Sequence, residues 1–517
     1  MNQLHIIYHI ARADFYERVR RYSFLVMLML AIFLGYQVAI GNMSLQLGQY
    51  RGEFNSAWVG ALMSLIATFF IGWFGFYLVK GAVENDRRTG VGQIIAATLV
   101  NRPQYAIGKW ISNFLVLMSM VGILALAGLV IQFLQGESSS VNLFAFLSPF
   151  IFVAAPLIAI VAAAAVLFET IPFLAGGFGN IAYFFAFIIS LPLFLENEML
   201  KQYPAFEPMG LGVISSEMGR ALQAVFPDYD GSFTLGSTDE TVTDVFTWNG
   251  IEWTAEIFFA RFVVFAFSIG MILLAALFFD RFDSSRRKPK PTKTRAALSP
   301  LEVDSAPRAI AAPHLTPLRA DGQRFSFINV LFGELKLLLK GQRWWWYLVA
   351  AGLGVACFSG DMETVRKIIL PMAWLWHILI ISPLGNREAR DNVQQLAFSS
   401  ASPLWRQLPA QWLAGFIVTA LLGSGAALNF LLHGETAALG FFFISAAFIP
   451  SLALALGVWS GTSKTFEVIY LLLWYVGPMN SVPPVDYIYT GNPSAFLLAA
   501  VLLLAAAFTG RARQLRN

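Results

Sequence analysis

The chain has little charge and almost no cysteine. Only 13% of its 517 residues are charged, whereas soluble proteins average about 25%. Its single cysteine, Cys357, excludes an intramolecular disulfide and a cysteine-based metal cluster. Because 57% of the residues are hydrophobic and 15% are aromatic, the composition indicates a membrane protein with several spans.

The sequence also lacks the usual motifs of catalysis. It contains no H-E-x-x-H zinc motif and no G-x-S-x-G nucleophile elbow, and the segment GVWSGTSKT at 457–465 lacks the spacing of a phosphate-binding loop. The five histidines show no metal-ligand spacing; they are His5, His9, His314, His377 and His433. We therefore expect that the chain is not an enzyme and binds no cofactor of its own.

Ionisable residues are scarce inside the apolar segments. Arg261, Glu169, Glu467 and Asp280 all lie near segment ends, where they can reach headgroups and water. A carrier coupled to protons or sodium normally needs a carboxylate at membrane depth. The chain is therefore expected to take its energy from a soluble partner.

Twelve apolar segments have about the length of a membrane span. They lie at 23–40, 57–79, 111–134, 148–168, 171–195, 257–279, 344–359, 366–384, 413–432, 436–459, 464–479 and 493–509. With the N-terminus in the cytoplasm, 29 of the 35 lysines and arginines fall on the cytoplasmic side, as the positive-inside rule requires. We expect an all-α protein of the plasma (inner) membrane with both termini in the cytoplasm.

The chain divides into two halves around a linker. Residues 284–322 are rich in proline, small residues and basic charge, which predicts a flexible cytoplasmic linker. It separates a first half, 1–283, from a second half, 323–517. The first half has a long external loop at 196–256, in which the spacing of five apolar residues predicts a short amphipathic helix; these are Leu211, Ile214, Met218, Leu222 and Val225.

The two halves resemble each other. Each has an amphipathic lead-in (1–22 and 328–343), two spans, a polar segment and four further spans. Segment 93–110 aligns with segment 395–412, since 395 − 93 and 412 − 110 both equal 302. Both halves run in the same direction, so the pattern predicts two parallel six-helix repeats.

The polar segment 80–113 is the first candidate functional site. It reads as an amphipathic helix between two spans, with a mixed-sign cluster of Glu84, Asp86, Arg87 and Arg88 at its start. Such a cluster is suited to ion pairs with the surface of a soluble partner. The alternative is that these charges merely solvate a cytoplasmic loop.

The stretch VENDRRTGVGQIIAATLVNRPQYAIGKW resembles the cytoplasmic signature of type-2 ATP-binding-cassette (ABC) exporter permeases. The matching positions are Glu84, Arg88, Thr89, Gly90, Arg102, Pro103, Gly108 and Lys109. The lead-ins resemble the elbow helices of that family, which usually has six spans per half. The second half departs from the signature, because Asp391 and Asn392 replace Thr89 and Gly90, and Gln411 replaces Lys109.

The resemblance implies the permease subunit of an ABC transporter. It implies two separate ABC ATPase subunits that carry ATP and magnesium, with export of a hydrophobic or amphipathic lipid, peptide or drug-like molecule by alternating access. Membrane lipids would surround the chain, and no nucleic acid is involved. The expected ATPase-docking residues of the two coupling helices are Glu84, Asp86, Arg87, Arg88, Gly90, Arg102, Glu388, Arg390 and Arg406.

Two other functions fit the same composition. A membrane anchor or assembly subunit would bind a partner and transport nothing, and an ion-coupled secondary carrier would need no ATPase. Stimulation of a bound ATPase by substrate separates transport from anchoring, and dependence on an ion gradient without ATP favours the carrier.

Overall fold

The structure is a computed structural model of the chain. It describes residues 3–138, 140–196, 202–229, 231–236, 242–282, 326–340, 342, 344–400 and 402–516. Contacts divide the chain into two units, Met1–Phe282 and Asp283–Asn517. The boundary lies beside the start of the predicted linker, and the linker itself, 284–322, lies outside the described residues.

Unit 1 is mainly helical. Its helices are α1 (Gln3–Val19), α2 (Tyr22–Ala39), α3 (Ser56–Val79), α4 (Ala82–Arg88), α5 (Val91–Ala96), α6 (Arg102–Gln135), α7 (Leu143–Pro149), α8 (Ala155–Thr170), α9 (Gly177–Glu196), α10 (Leu211–Gln223) and α11 (Ala255–Phe278). A π-helical turn, Phe150–Ala154, joins α7 to α8, and a 3-10 turn spans Pro204–Phe206. Helices α3 and α8 are apolar on all sides and mostly buried, as expected for central helices of a bundle.

Four short strands lie at the end of α3 opposite to α4. Strand β1 (Ser44–Gln46) pairs antiparallel with β3 (Thr234–Gly236), and β2 (Tyr50–Gly52) pairs parallel with β4 (Asp244–Phe246). The long loop predicted at 196–256 therefore folds back onto the connection between α2 and α3. We call this region the strand end of unit 1.

The amphipathic helix predicted within that loop is confirmed as α10. Ile214, Met218 and Leu222 are fully buried, while Val225 lies beyond the helix and is 59% exposed. The helical spacing identifies this element correctly because the buried residues recur every three to four positions.

An ion pair also fastens β2 to the end of α6. Arg51 donates two hydrogen bonds, of 2.6 and 3.0 Å, to the carboxylate of Glu137. These hydrogen bonds hold the pKa of the Glu137 carboxyl below its usual value.

The buried cation of the strand end is Arg261, in the second turn of α11. Its guanidinium donates to five backbone carbonyl groups at distances of 2.6 to 3.3 Å; these belong to Phe152, Val153, Ala205, Glu207 and Pro208. A buried charge is tolerated when hydrogen bonds replace its hydration. Arg261 therefore fixes α11 to the π turn and to the loop at 204–208.

Replacing Arg261 by methionine is expected to destabilise the strand end by about 3 kcal/mol or more, because several carbonyl groups lose their donor. Faster backbone hydrogen exchange across 204–210 in the full-length chain would measure this. The matched control is Arg220→Met, since Arg220 is 67% exposed and pairs with Glu217, three positions before it. Equal exchange in both variants would contradict the assigned role of Arg261.

The described residues of unit 2 form helices and turns, with no strand among them. Its helices are α12 (Phe327–Leu339), α13 (Trp344–Ser359), α14 (Met362–Thr364), α15 (Leu370–Trp376), α16 (Ile378–Ile381), α17 (Arg387–Arg390), α18 (Gln394–Phe398), α19 (Pro403–Leu422), α20 (Ser424–Leu432), α21 (Thr436–Ser460), α22 (Ser463–Trp474) and α23 (Pro493–Gln514). Two π turns, Val365–Ile369 and Tyr475–Met479, follow α14 and α22. Helix α21 packs between α19 and α23, and α12 lies along α19.

The core of unit 2 is rich in aromatic side chains. Trp374, Trp474, Tyr470 and Tyr487 are all almost completely buried. His377 is fully buried beside them, with Nε2 2.9 Å from the Thr419 hydroxyl. This position makes His377 a packed polar residue of the core.

The helices indicate a membrane protein. Among the described residues, seven helical stretches have the length and composition of a span, and two bent pairs, α1–α2 (72°) and α19–α20 (59°), raise the number to nine. Helix α13 has 16 residues, about 24 Å of length, which is less than the roughly 30 Å of a hydrocarbon core. The predicted segment at 366–384 is interrupted at His377. Twelve spans therefore remain a prediction.

Candidate functional site

The polar segment of unit 1 forms two short helices rather than the single amphipathic helix expected from its sequence. Helix α4 follows Gly81 (φ 114°) and α5 follows Gly90 (φ 79°). Both conformations are left-handed and suit glycine, so each glycine allows a sharp change of direction. From Arg102 onward the chain already belongs to the long helix α6.

The start of α6 is well specified by its own sequence. The Asn101 side chain accepts a hydrogen bond of 2.9 Å from the Gln104 backbone, and the Gln104 side chain accepts one of 3.0 Å from the Asn101 backbone. This reciprocal cap satisfies two backbone donors, and Pro103 is favoured in the first helical turn.

Helix α4 is attached to the bundle through Glu169, near the end of α8. The buried carboxylate accepts hydrogen bonds from the backbone N–H groups of Gly81, Ala82 (3.1 Å), Val83 (2.7 Å) and Glu84 (3.0 Å). These N–H groups have no partner within the helix, and a negative charge is favoured at a helix N-terminus. Glu169 therefore fixes the position and direction of α4.

A buried ion cluster lies beneath α4. The Lys109 ammonium is 2.7 Å from Asp14 and 2.8 Å from Asp86. Asp14 also accepts a hydrogen bond of 2.8 Å from Arg18, and the Tyr105 hydroxyl donates one of 2.6 Å to Asp86. All five side chains are nearly inaccessible to solvent. We call this group the Lys109 cluster; it ties α1, α4 and α6 together.

The predicted docking residues of unit 1 therefore fall into three groups. Asp86 is only 6% exposed and serves the Lys109 cluster, so it is not available to a partner protein. The Glu84 side chain is 66% exposed and pairs with Arg87, which also lies 3.6 Å from Asp280. Arg88 is exposed and donates to Asn85. The remaining two have structural positions: Gly90 is the turn before α5, and Arg102 begins α6.

Unit 2 repeats this arrangement with α17 and α18 before α19. The turn between them is Asn392, with a left-handed φ of 56°. The buried Glu388 carboxylate accepts hydrogen bonds from Gln407 (2.9 Å), Gln411 (2.6 Å) and Arg511 (3.3 Å). Glu388, one of the predicted docking residues, is therefore buried and is not available to a partner protein.

The other predicted residues of unit 2 lie closer to solvent. The Arg390 side chain is 53% exposed and pairs with Asp391 at 3.1 Å, and Arg406 lies half-buried in the first turn of α19. Beneath them, Glu334 of α12 accepts a hydrogen bond of 2.9 Å from Arg387 of α17. Burial raises the pKa of the Glu334 carboxyl, although the Arg387 charge opposes this rise.

The internal contacts of the two units occur at the same spacing. Asp86 is bonded to residues 19 and 23 positions later, Tyr105 and Lys109, and Glu388 is bonded to Gln407 and Gln411 at the same two separations. The equivalent residues are 302 positions apart, since 388 − 86 and 411 − 109 both equal 302. Trp110 and Trp412, also 302 apart, each donate a hydrogen bond to the neighbouring helix, at Ala159 and at Ser451.

The chain matches no protein-family model, no curated protein and no solved structure. The function of the two sites is therefore proposed from the chemistry of their own residues. Within the described residues, no group of three or more histidine, cysteine, aspartate or glutamate side chains is placed to hold a metal ion.

The buried partners of Asp86 and Glu388 were not predicted from the sequence. One signal was available: Asp86 lies three and four positions after the apolar Val83 and Ala82, on the face of α4 that is buried. The 302-residue spacing that aligns the two segments also places Lys109 opposite Gln411.

Proposed function

We propose that the chain is the permease subunit of an ABC transporter, driven by separate ATPase subunits that dock against α4–α5 and α17–α18. The observation that carries this proposal is the connection between these short helices and the long ones. In each unit, a buried carboxylate on the first short helix bonds to the long helix that follows, Asp86 to Lys109 of α6 and Glu388 to Gln411 of α19. A partner that moves the short helix therefore moves the helices attached to it.

The attachments extend to the first helix of each unit. Lys109 joins α6 to Asp14 of α1, and Arg387 joins α17 to Glu334 of α12. Removing one partner of a buried charge pair is costly, so these contacts hold the helices together during a motion. ATP would then shift the transporter between two states to the extent that the ATPases bind those states with different affinity.

The proposal also includes the number, the repeat and the orientation of the membrane spans. We take the chain to form two parallel repeats of six spans, with both termini and the short helices in the cytoplasm at the plasma membrane. The contacts that recur at a spacing of 302 residues support the duplication. Because few ionisable residues lie within the apolar helices, a lipid, a hydrophobic peptide or a drug-like molecule is the substrate class that fits, and export is the proposed direction.

Charge reversal at the exposed start of α4 tests the docking. We expect Glu84→Arg with Arg88→Glu to release the ATPase subunit from the purified complex, because a partner selected for the native charges would meet repulsion. The thermal stability of the chain should stay nearly unchanged, since exposed ion pairs contribute at most about 1 kcal/mol.

The matched control reverses another exposed pair, Glu363→Lys with Lys367→Glu, whose side chains are 73% and 44% exposed. This pair belongs to neither short-helix segment and should leave the ATPase bound. Retained ATPase and normal coupling in the Glu84 and Arg88 variant would count against the docking site.

A further inference from the structure

The chain leaves α11 by folding back onto the short helices of unit 1. Phe279, directly after α11, is buried and stacks on Tyr105 of α6, with ring centroids 4.6 Å apart. The Asp280 carboxylate lies 3.6 Å from the Arg87 guanidinium of α4. We call residues 279–282 the return segment. It attaches the end of α11 to α4 and α6.

The last residue of the return segment, Phe282, lies between three helices. Its ring centroid is 5.5 Å from that of Tyr105 in α6, and the Arg87 guanidinium of α4 lies 5.9 Å from the same centroid. In α5 the ring lies against Gly92, where an added Cβ would be 2.6 Å from a ring atom of Phe282. Glycine at position 92 therefore makes room for this ring, and Phe282 is a positioning residue for α4 and α5.

The backbone of the return segment has a conformation that its contacts must maintain. Arg281 and Phe282 both have left-handed φ values, 55° and 60°. Residues with a Cβ rarely adopt this conformation, which persists where surrounding contacts impose it. Here the Arg281 guanidinium donates to the carbonyl of Thr98, after α5, and the Asp280 carboxylate accepts a hydrogen bond of 3.0 Å from the Phe282 N–H. Loss of these contacts should allow the segment to change to a second backbone conformation.

Helix α11 connects the return segment to the strand end. Its 24 residues contain no proline, and a helix of this length spans about 36 Å. Its buried residues recur every three to four positions, and it packs along α8. Sharp kinks occur mainly at proline or at inserted turns, so a displacement of one end of α11 should displace the other end.

The other end of α11 is fixed by Arg261. The guanidinium bonds to the carbonyl groups of Ala205, Glu207 and Pro208 hold the loop at 204–208. The helix therefore has a polar attachment at the strand end and an aromatic attachment at the short helices.

The last long helix of unit 2 shares the attachment to the short helices. Arg511 of α23 donates to the Gly385 carbonyl at 3.2 Å and to Glu388 at 3.3 Å, and its guanidinium lies 5.0 Å from the ring centroid of Phe398 in α18. The described residues that precede α23 in unit 2 form no strand. The connection from the short helices to a strand end is therefore a feature of unit 1.

We propose that α11 couples the surface of α4–α5 to the loop at 204–208 of the strand end. A protein bound to the short helices would shift the return segment between an engaged and a released conformation, and the loop would respond through Arg261. Because coupling between two sites is reciprocal, a change at the strand end would alter docking by the same factor. The identity of the docked protein rests on the proposed function, whereas the coupling is a property of unit 1 itself.

Removal of the Phe282 ring tests the coupling without any partner. In the full-length chain in detergent, Phe282→Ala is expected to speed exchange of the backbone amide hydrogens of 204–210 at least about fivefold, although these residues lie at the other end of α11. Hydrogen exchange with mass spectrometry measures this change. Phe278→Ala is the matched control, because Phe278 is the last residue of α11 and is 53% exposed; it should leave exchange at 204–210 unchanged.

The site of the faster exchange decides between coupling and a local role. Acceleration confined to 81–98 and 279–282 would show that Phe282 stabilises only its surroundings, and would overturn the coupling. An equal acceleration within α2 would show a general loss of stability, and would overturn the coupling as well.

Gly92→Ala provides an independent way to displace the return segment. The added Cβ should push the Phe282 ring away and speed exchange at 204–210, as Phe282→Ala does. In the double variant the smaller residue at 282 leaves room for the Cβ, so the two effects should not multiply. Gly122→Ala in α6 is the control, because an added Cβ there meets no neighbouring group within 4 Å. Effects that multiply, or an equal effect of Gly122→Ala, would overturn the role of the return segment.

The ATPase separates this inference from the proposed function. Addition of the ATPase to the wild-type chain should change exchange at 204–210 at least about fivefold, and Phe282→Ala should remove that change. ATPase binding with no change at 204–210 would overturn the coupling and leave the docking intact. If no ATPase binds, the proposed function fails, and the response of 204–210 to Phe282→Ala and Gly92→Ala still decides the coupling.

Discussion

Replacing Lys109 by methionine is expected to lower the free energy of unfolding of the chain by about 3 to 5 kcal/mol. The Lys109 side chain is only 4% exposed and lies within 2.8 Å of both Asp14 and Asp86. Methionine has nearly the same shape but no charge, so two buried carboxylates lose a cation. Asp14 would keep the positive charge of Arg18, whereas the partner of Asp86 among the described residues would be the uncharged Tyr105 hydroxyl. Thermal unfolding of the purified chain in detergent measures the loss.

The same substitution at an exposed lysine is the control. Lys367 lies 2.6 Å from Glu363, and its side chain is 44% exposed, so Lys367→Met should cost less than about 1 kcal/mol. Adding Asp14→Asn and Asp86→Asn to Lys109→Met should recover much of the stability, because the unpaired carboxylates are removed. A similar effect at both lysines, or no recovery in the triple variant, would contradict the Lys109 cluster.

Replacing Glu169 by glutamine is expected to release the N-terminus of α4. The glutamine amide has one acceptor oxygen where the carboxylate has two, and its NH₂ group would face backbone donors. We expect the loss of these charge-assisted hydrogen bonds to cost about 2 to 3 kcal/mol. The backbone amide hydrogens of residues 81–84 should then exchange roughly 100-fold faster. Hydrogen exchange with mass spectrometry on the full-length chain measures this change.

Glu207→Gln is the matched control, because the Glu207 carboxylate also accepts backbone N–H groups, from Met209 and Gly212 at the strand end. It should speed exchange near 209–212 and leave 81–84 unchanged. The Glu169 variant should also weaken ATPase docking at α4–α5, since α4 carries Arg88. Unchanged exchange at 81–84 in that variant would show that Glu169 does not hold α4.

Local patterns in the sequence predicted the helices well. Long apolar runs located the main helices, and the spacing of Ile214, Met218 and Leu222 located α10. These features depend on residues near each other in the chain. The sequence failed at Gly90, where one expected amphipathic helix becomes two, because a left-handed turn interrupts an otherwise helical pattern.

The buried charges were harder to predict. Asp86 and Glu388 look like surface residues, because polar connections are usually solvated and neighbouring positions carry exposed charge. The partners of Glu388 include Arg511, 123 positions away. Lys109, the partner of Asp86, also binds Asp14, which lies 95 positions before Lys109. Hydrophobic periodicity gives no information about such distant pairs. In the sequence, these positions are marked by the 302-residue spacing between the halves and, for Asp86, by the apolar residues three and four positions before it.

The central claim is that this membrane protein moves a substrate only when separate ATPases drive it. The direct measurement is transport in proteoliposomes that contain the chain with or without its ATPase subunits. Suitable probes are a fluorescent phospholipid, a hydrophobic peptide and a lipophilic dye. We expect at least one of them to cross the membrane when both the ATPases and ATP are present, and to stop when either is removed. Transport without the ATPases, or no transport of any probe by the complete complex, would contradict the claim.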